Sequence, residues 1–328
     1  MKKPMCFVLA GCAAFLGVLF FSCGAERPTM LVRVGAPPLE QNALLYVAAE
    51  KRFFARNGID LQFRDFDSGP ASLSAMESGQ VEVAETAEFP FVESVMNGDP
   101  IRTIAANDRF VNDYVVALRS RGIARIRDLK GKRIGVTLRT ITEFYLGRFL
   151  RLHGMDPKGV TIVDVQPSNF ARSLRDGEVD ALVMWQPYVS HITSGEPGSF
   201  EIWPVQSSQP VYGLLVCSSL WLRLHQSTVL SFLRSLSAAQ HFLVRHPKKS
   251  ETIVAKRLNY RDSYLSSVWH DHEFTLTLDF SLVAAMEDEA RWVIANHLSR
   301  MAVVPDFMKF LDLSGLEAVR PDSVNTMR

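Results

Sequence analysis

Asp176-Gly177-Glu178-Val179-Asp180-Ala181 repeats, 98 residues on, the pattern Ser78-Gly79-Gln80-Val81-Glu82-Val83. In each copy a glycine closes a helical stretch and an alternating run follows at once, as where a helix with a C-terminal glycine leads into a strand. The match extends outward. Val32-Arg33-Val34-Gly35-Ala36 has a counterpart in Lys132-Arg133-Ile134-Gly135-Val136. A helical stretch follows each: Asn42 to Asn57, closed by Gly58, and Thr140 to His153, closed by Gly154. Ile59, Leu61 and Phe63 then alternate with Asp60, Gln62 and Arg64 as a strand with one polar face, and Val160 to Val165 takes the same place in the second block. Ser68-Gly69-Pro70 opens the next helix of the first block, and Ser168 caps that of the second. Val81 to Ala84 and Ala181 to Met184 are strands. Each leads to a turn with proline, Thr86-Ala87-Glu88-Phe89-Pro90 in one block and Trp185-Gln186-Pro187 in the other.

Two blocks of alternating strands and helices predict an α/β protein of two lobes, each a mostly parallel sheet covered by helices. The length of 328 residues accommodates both. Tyr114 to Leu118 and the apolar run Val211 to Cys217 bracket the second block and are expected to cross between lobes. The first lobe then comprises residues 31–115, the second 116–212, and residues 213–328, strongly helical, return to the first. Parallel α/β sheets bind ligands outside the carboxyl ends of their strands. That rule selects the loops 36–42, 66–70, 85–90, 137–142, 166–169 and 184–188 as the walls of one cleft.

Composition excludes some functions. With 36 Lys plus Arg against 35 Asp plus Glu there is no field to attract a polyanion, so nucleic-acid binding is not expected. At 47% hydrophobic residues the chain is not disordered. Lys2 and Lys3 precede a charge-free stretch from Met5 to Phe21, which reads as a secretory signal and is short for a membrane span. Phe21-Ser22-Cys23-Gly24 resembles a bacterial lipoprotein cleavage site, so residues 1–22 are expected to leave, Cys23 to carry lipid, and residues 23–30 to form a tether. Leu9-Ala10-Gly11-Cys12 fits the pattern letter by letter but would leave a very short apolar segment. Removing residues 1–22 takes two lysines and no acid, for a net charge of −1. Cys217 would be the only other thiol left. It lies in an apolar run and reads as a buried small hydrophobe.

Arg139-Thr140-Ile141-Thr142-Glu143 sits where a strand turns into a helix, so free backbone N–H groups and the helix dipole favour an anion there. Arg139 would add a fork suited to oxyanions, unless it lies in solvent. Thr140 and Thr142 offer hydroxyls, while Glu143 three residues after Thr140 reads as a capping box. On the facing wall, Ser68 and Gly69 offer an open helix start. Thr86 and Glu88 follow the next strand; Glu88 would pair with an ammonium group or stabilise a helix N-terminus. Trp185 would cover a ligand or fill core, Gln186 can donate and accept, and Tyr212 would supply a hydroxyl or pack. His270-Asp271-His272-Glu273 is the one local His and acid cluster, and it reads as a solvated turn rather than a metal site.

The lipoprotein-type signal, Ala43-Leu44-Leu45-Tyr46-Val47-Ala48-Ala49-Glu50-Lys51-Arg52-Phe53-Phe54, the Gly177-Glu178-Val179-Asp180-Ala181 turn and Trp185-Gln186-Pro187-Tyr188 together resemble periplasmic solute-binding proteins. The branch is the one serving ABC importers of sulfonates, taurine, nitrate and thiamine-pyrimidine precursors. The resemblance covers about residues 31–247. It implies the type II periplasmic-binding-protein fold and a lipid-anchored monomer on the periplasmic side of the cell envelope. It further implies delivery of a small solute to an inner-membrane ABC permease, with no cofactor, no metal and no chemistry on the ligand. The rival is an enzyme on the same fold resembling thiamine-pyrimidine synthases, which use a His-rich, metal-dependent site; the expected cleft loops here contain no histidine. A third possibility is a tethered sensor, though the chain carries no recognisable signalling domain.

Overall fold

The short apolar runs read as strands assemble into two sheets. The computed structural model describes residues 29–196, 198–207 and 209–325. The signal segment and Cys23 lie outside these residues. In chain order the first block holds β1 (Met30–Ala36), α1 (Ala43–Glu50), α2 (Phe53–Arg56), β2 (Ile59–Asp65), α3 (Gly69–Glu77), β3 (Val83–Ala87), α4 (Glu88–Asn97) and β4 (Ile101–Phe110). The second block holds β5 (Asp113–Leu118), β6 (Arg133–Val136), α5 (Ile141–Leu152), β7 (Thr161–Asp164), α6 (Phe170–Arg175), β8 (Ala181–Trp185), α7 (Tyr188–Thr193) and β9 (Phe200–Pro204). The chain then returns through β10 (Val211–Ser218), α8 (Ser219–Leu224), α9 (Gln226–Arg245), α10 (Pro247–Leu258), α11 (Asp262–Val268), β11 (His272–Glu273) and α12 (Phe280–Ala295).

The first sheet has the order β11-β4-β10-β3-β1-β2 and the second β7-β6-β8-β5-β9. Each has a parallel half and an antiparallel half. The strands of the sequence repeat pair in parallel, β2-β1-β3 and β7-β6-β8. The crossing strands join antiparallel, β10 between β3 and β4, and β5 between β8 and β9. The segments around Tyr114–Leu118 and Val211–Cys217 are thus themselves interior strands. Val115, Val116 and Ala117 are fully buried, as are Leu214 to Cys217. The chain leaves the first sheet after Phe110 and enters the second at Asp113, and it returns between Pro204 and Val211.

The repeat has a physical counterpart in each lobe. Arg33 donates its backbone N–H and its guanidinium to the Glu82 carboxylate, and Arg133 does the same to Asp180. In return the N–H of Glu82 and of Asp180 donates to the carbonyl of its arginine. These pairs stitch the middle strand of each parallel half to the turn entering its neighbour. Despite partial burial, the arginine holds each of the two carboxyls below its ordinary range.

Two local expectations change. The stretch from Asn42 to Asn57 is a short 3₁₀ turn and two helices, broken at Arg52, which takes the left-handed conformation (φ 56°). After the break Phe54 packs on Phe232 of α9, with ring centroids 5.1 Å apart. The return segment lies on the first lobe through α9 against α1 and α2 and α12 against α4, but α12 also touches the second lobe. There Trp292 packs edge-on to Phe144 of α5, and Arg148 of α5 pairs with Asp288 at 3.1 Å.

Candidate functional site

The carboxyl ends of β1, β2, β3, β6 and β8 open toward a cavity between the two sheets. Pro37, Leu39 and Gln41 line it after β1, Ser68, Gly69 and Pro70 after β2, and Ala87 and Pro90 after β3. From the second lobe come Thr140 and Ile141 after β6 and Trp185 after β8, while Phe110 and Asp113 contribute where the chain crosses. The cavity is small, about 50 Å³. Three helices, α3, α4 and α5, begin at its wall, so their N-terminal dipoles converge on the space.

Of the residues proposed from the sequence, the structure brings Ser68, Gly69, Thr140 and Trp185 to this cavity. Ser68 and Thr140 are the N-caps of α3 and α5. Gly69 is dictated by packing: a Cβ there would lie 2.5 Å from Thr86 Oγ1. Thr86 itself is fully buried behind Gly69, and its hydroxyl has no hydrogen-bond partner among the described residues. Thr142 is also buried, with its Oγ1 2.6 Å from that of Thr140.

The others are elsewhere. Arg139 takes the left-handed conformation (φ 63°) and points away from this space into a second cavity, where its Nε lies 3.5 Å from Glu93 of α4. That contact ties the two lobes together. Burial pushes the Glu93 carboxyl up to about 7 against the pull of Arg139. The capping box is not formed, since Glu143 accepts from the N–H of Arg139 and the Thr140 hydroxyl donates to the Thr137 carbonyl. Glu88 is fully buried on the far side of the first turn of α4, where it accepts the backbone N–H of Tyr212 at 3.0 Å and faces Glu289 of α12. Burial raises both carboxyls, and the neighbouring Glu88 raises Glu289 further, whereas the hydrogen bond with Glu289 lowers Glu88. The Tyr212 hydroxyl donates to Ser281, and the Gln186 side chain caps α7 by accepting from the N–H and hydroxyl of Ser190.

His272 is not in a solvated turn. It is fully buried against the edge of the first sheet, with Nδ1 2.5 Å from Asp108 and Nε2 3.9 Å from Glu40. Burial opposes its charge, but Asp108 and Glu40 outweigh that and keep the imidazole protonated well above its ordinary range. The chain neighbours of Asp108 and Glu40 form a second set of bonds that includes Gln41 at the cavity wall. Asn107 donates to the Gln41 carbonyl at 3.0 Å, and the Gln41 side chain donates to Glu85 at 2.7 Å. No group of three or more metal-ligating side chains is found among the described residues.

Asp113 is the residue that sequence reasoning missed. It is 2% exposed and lines the cavity, its Oδ2 has no hydrogen-bond partner among the described residues, and burial pushes its carboxyl up to about 7. Its backbone is fixed by Gln206, which accepts the Asp113 N–H at 2.8 Å and donates to the Phe110 carbonyl at 2.9 Å, clamping the crossing. The available signal was a lone acid directly before an all-apolar run at the lobe junction.

Comparison with known proteins places these features in context. A family model described as NMT1/THI5 like matches residues 40–250. The chain is 24% identical to the taurine-binding periplasmic protein of Escherichia coli over 235 residues, 71% of this chain and 72% of that one. The alkanesulfonate-binding protein of Xanthomonas axonopodis pv. citri, solved bound to MOPS, superposes with a TM-score of 0.74 at 18% identity, covering 92% of this chain and 100% of that one. A desulfurization enzyme shares the fold with a TM-score of 0.65 at 16% identity, covering 89% of this chain and 99% of that one. The architecture is thus the two-sheet α/β fold of periplasmic binding proteins.

Proposed function

Because the chain belongs to the NMT1/THI5-like family, we propose that it is the solute-binding component of an ABC importer and delivers a small polar solute to a membrane permease. The observation that carries this reading is the small cavity at the strand carboxyl ends, lying between two lobes that the described chain crosses twice. Two rigid sheets on such a hinge can close around a ligand and reopen. The polar groups at the wall are hydroxyls, an amide, the Trp185 indole N–H and one acid, which can hold a solute by hydrogen bonds. Cys217 lies inside the first sheet with its thiol pushed up to about 12 by burial, so it is held as an unreactive thiol. The converging helix starts suit an oxyanion head, so sulfonates and aminosulfonates such as taurine lead the substrate class, ahead of nitrate and thiamine-pyrimidine precursors. Cys23, as the lipidated N-terminus, would tether the receptor beside its permease on the periplasmic side of the envelope.

The test is to purify the full chain from membranes under native conditions and identify the small molecules it releases by mass spectrometry. A bound solute returned unchanged, which raises the melting temperature when added back, is expected. At 100 times its dissociation constant it adds about 2.7 kcal/mol. Conversion of that solute by the purified protein overturns the receptor reading in favour of an enzyme. The Cys23→Ala form is expected in the soluble fraction; its persistence in membranes rejects the tether.

A further inference from the structure

We propose that Asp113 and Trp185 form the specificity site of the cleft, a receptor for a cationic nitrogen, so that the solute carries an ammonium or amidinium group. This rests on the importer reading above. Asp113 and Trp185 are direct partners across the antiparallel pair β5–β8. Opposed residues of such a pair present their side chains on one face, with Cβ atoms about 5 Å apart. Both line the cavity, and Phe110 lines it beside them. The wall therefore offers one carboxylate and two aromatic side chains, and no lysine, arginine or histidine stands among the described residues that line it.

Two buried acids of the first lobe find partners within the protein. Glu85 accepts from Gln41 and Asn42, and Asp108 is paired with His272. Asp113 Oδ2 accepts nothing from the described residues. The titratable groups that face Asp113 are Glu88 on α4, Tyr145 on α5 and Tyr114 on its own strand, none of them a cation. An unpaired buried carboxylate is costly. The side from which a partner can arrive is the cavity. A cationic N–H donor answers the carboxylate by a charge-assisted hydrogen bond and the aromatic rings by cation–π attraction. The starts of α3 and α5, at Ser68 and Thr140, remain for the solute's other end. A purely anionic solute would instead meet the Asp113 charge.

Two measurements on the full chain decide this. Isothermal titration at pH 8 compares 2-aminoethanesulfonate with ethanesulfonate, which differs by the ammonium group alone. The amine is expected to bind at least about tenfold tighter, and Asp113→Asn is expected to cut that ratio below about threefold while the variant keeps its cooperative melting. Equal affinities, or a ratio unchanged in Asp113→Asn, overturn the proposal. Independently, the solute released from native protein must contain a cationic nitrogen; one without it sinks the proposal and leaves the importer reading intact. If no solute is released and neither probe binds, the importer reading fails and this proposal with it.

Discussion

Gly35 and Gly135 occupy the same place in the two lobes for the same reason. A Cβ on Gly135 would lie 2.4 Å from Leu182 Cδ2 and 3.0 Å from Val165 Cγ2; one on Gly35 would lie 2.9 Å from Phe66 and 3.0 Å from Ser72. Leu182 is fully buried and cannot swing away. Gly135→Ala is therefore expected to destabilise by about 1–3 kcal/mol through overpacking. Gly159→Ala, where the nearest side-chain atom would be 3.9 Å away, should stay within about 0.5 kcal/mol. Urea titration of both variants checks the contrast. The recurrence of these glycines, and of Arg33 with Arg133 and Glu82 with Asp180, was legible in the sequence repeat, whereas the ion pairs they form emerged only in the structure. Arg139 was not: its strand-to-helix position suggested the cleft, yet a left-handed backbone turns it toward Glu93 on the other lobe.

Among the elements, the repeat strands and their helices could be read from alternation and terminal glycines, which are local signals. β4 could not. Its run Ile101–Phe110 carries Thr103, Asn107 and Asp108 inward, where the Thr103 hydroxyl donates to the Leu215 carbonyl, Asn107 donates to the Gln41 carbonyl and Asp108 pairs with His272. Buried polar residues that find distant partners erase the apolar alternation that marks a strand. The role of α12 was equally hidden. Trp292 packs against Gly147 of α5, where an added Cβ would lie 3.0 Å from the indole, and against Phe89 of α4 at 5.7 Å, so this helix wedges both lobes. Trp292→Ala is expected to cost about 2 kcal/mol and to weaken solute binding severalfold by reducing the closed population. An unchanged radius of gyration by small-angle X-ray scattering, with unchanged affinity, would remove α12 from the closing mechanism.

At the scale of the whole molecule, the buried acids set a pH dependence. Burial raises Glu85, Glu93 and Asp113 to about 7, and Glu88 and Glu289 are also raised. A carboxyl whose folded value lies above its unfolded one, near 4, stabilises fully below the unfolded value and loses that contribution as pH climbs through the folded one. His272, also raised, acts in the same direction. Glu82 and Asp180 are lowered, so their contribution is lost only in acid, below the window of interest. The ligand-free protein is therefore expected to melt at least about 3 °C lower at pH 8 than at pH 5.5. Calorimetry across that range checks it, and a rising melting temperature would contradict the burial argument.

Periodicity, capping glycines and a 98-residue repeat were enough to specify two α/β lobes and five of the six loops expected at the cavity, because these depend on chain-local geometry; the loop 166–169 does not reach it. Which side chains face the cavity depended on contacts between residues far apart in the chain. Glu88 is drawn away by Tyr212, 124 positions on, and Asp113 is held at the cavity by Gln206, 93 positions on. Burial, which turns an ordinary aspartate into an unpaired acceptor beside Trp185, exists only once both lobes are packed.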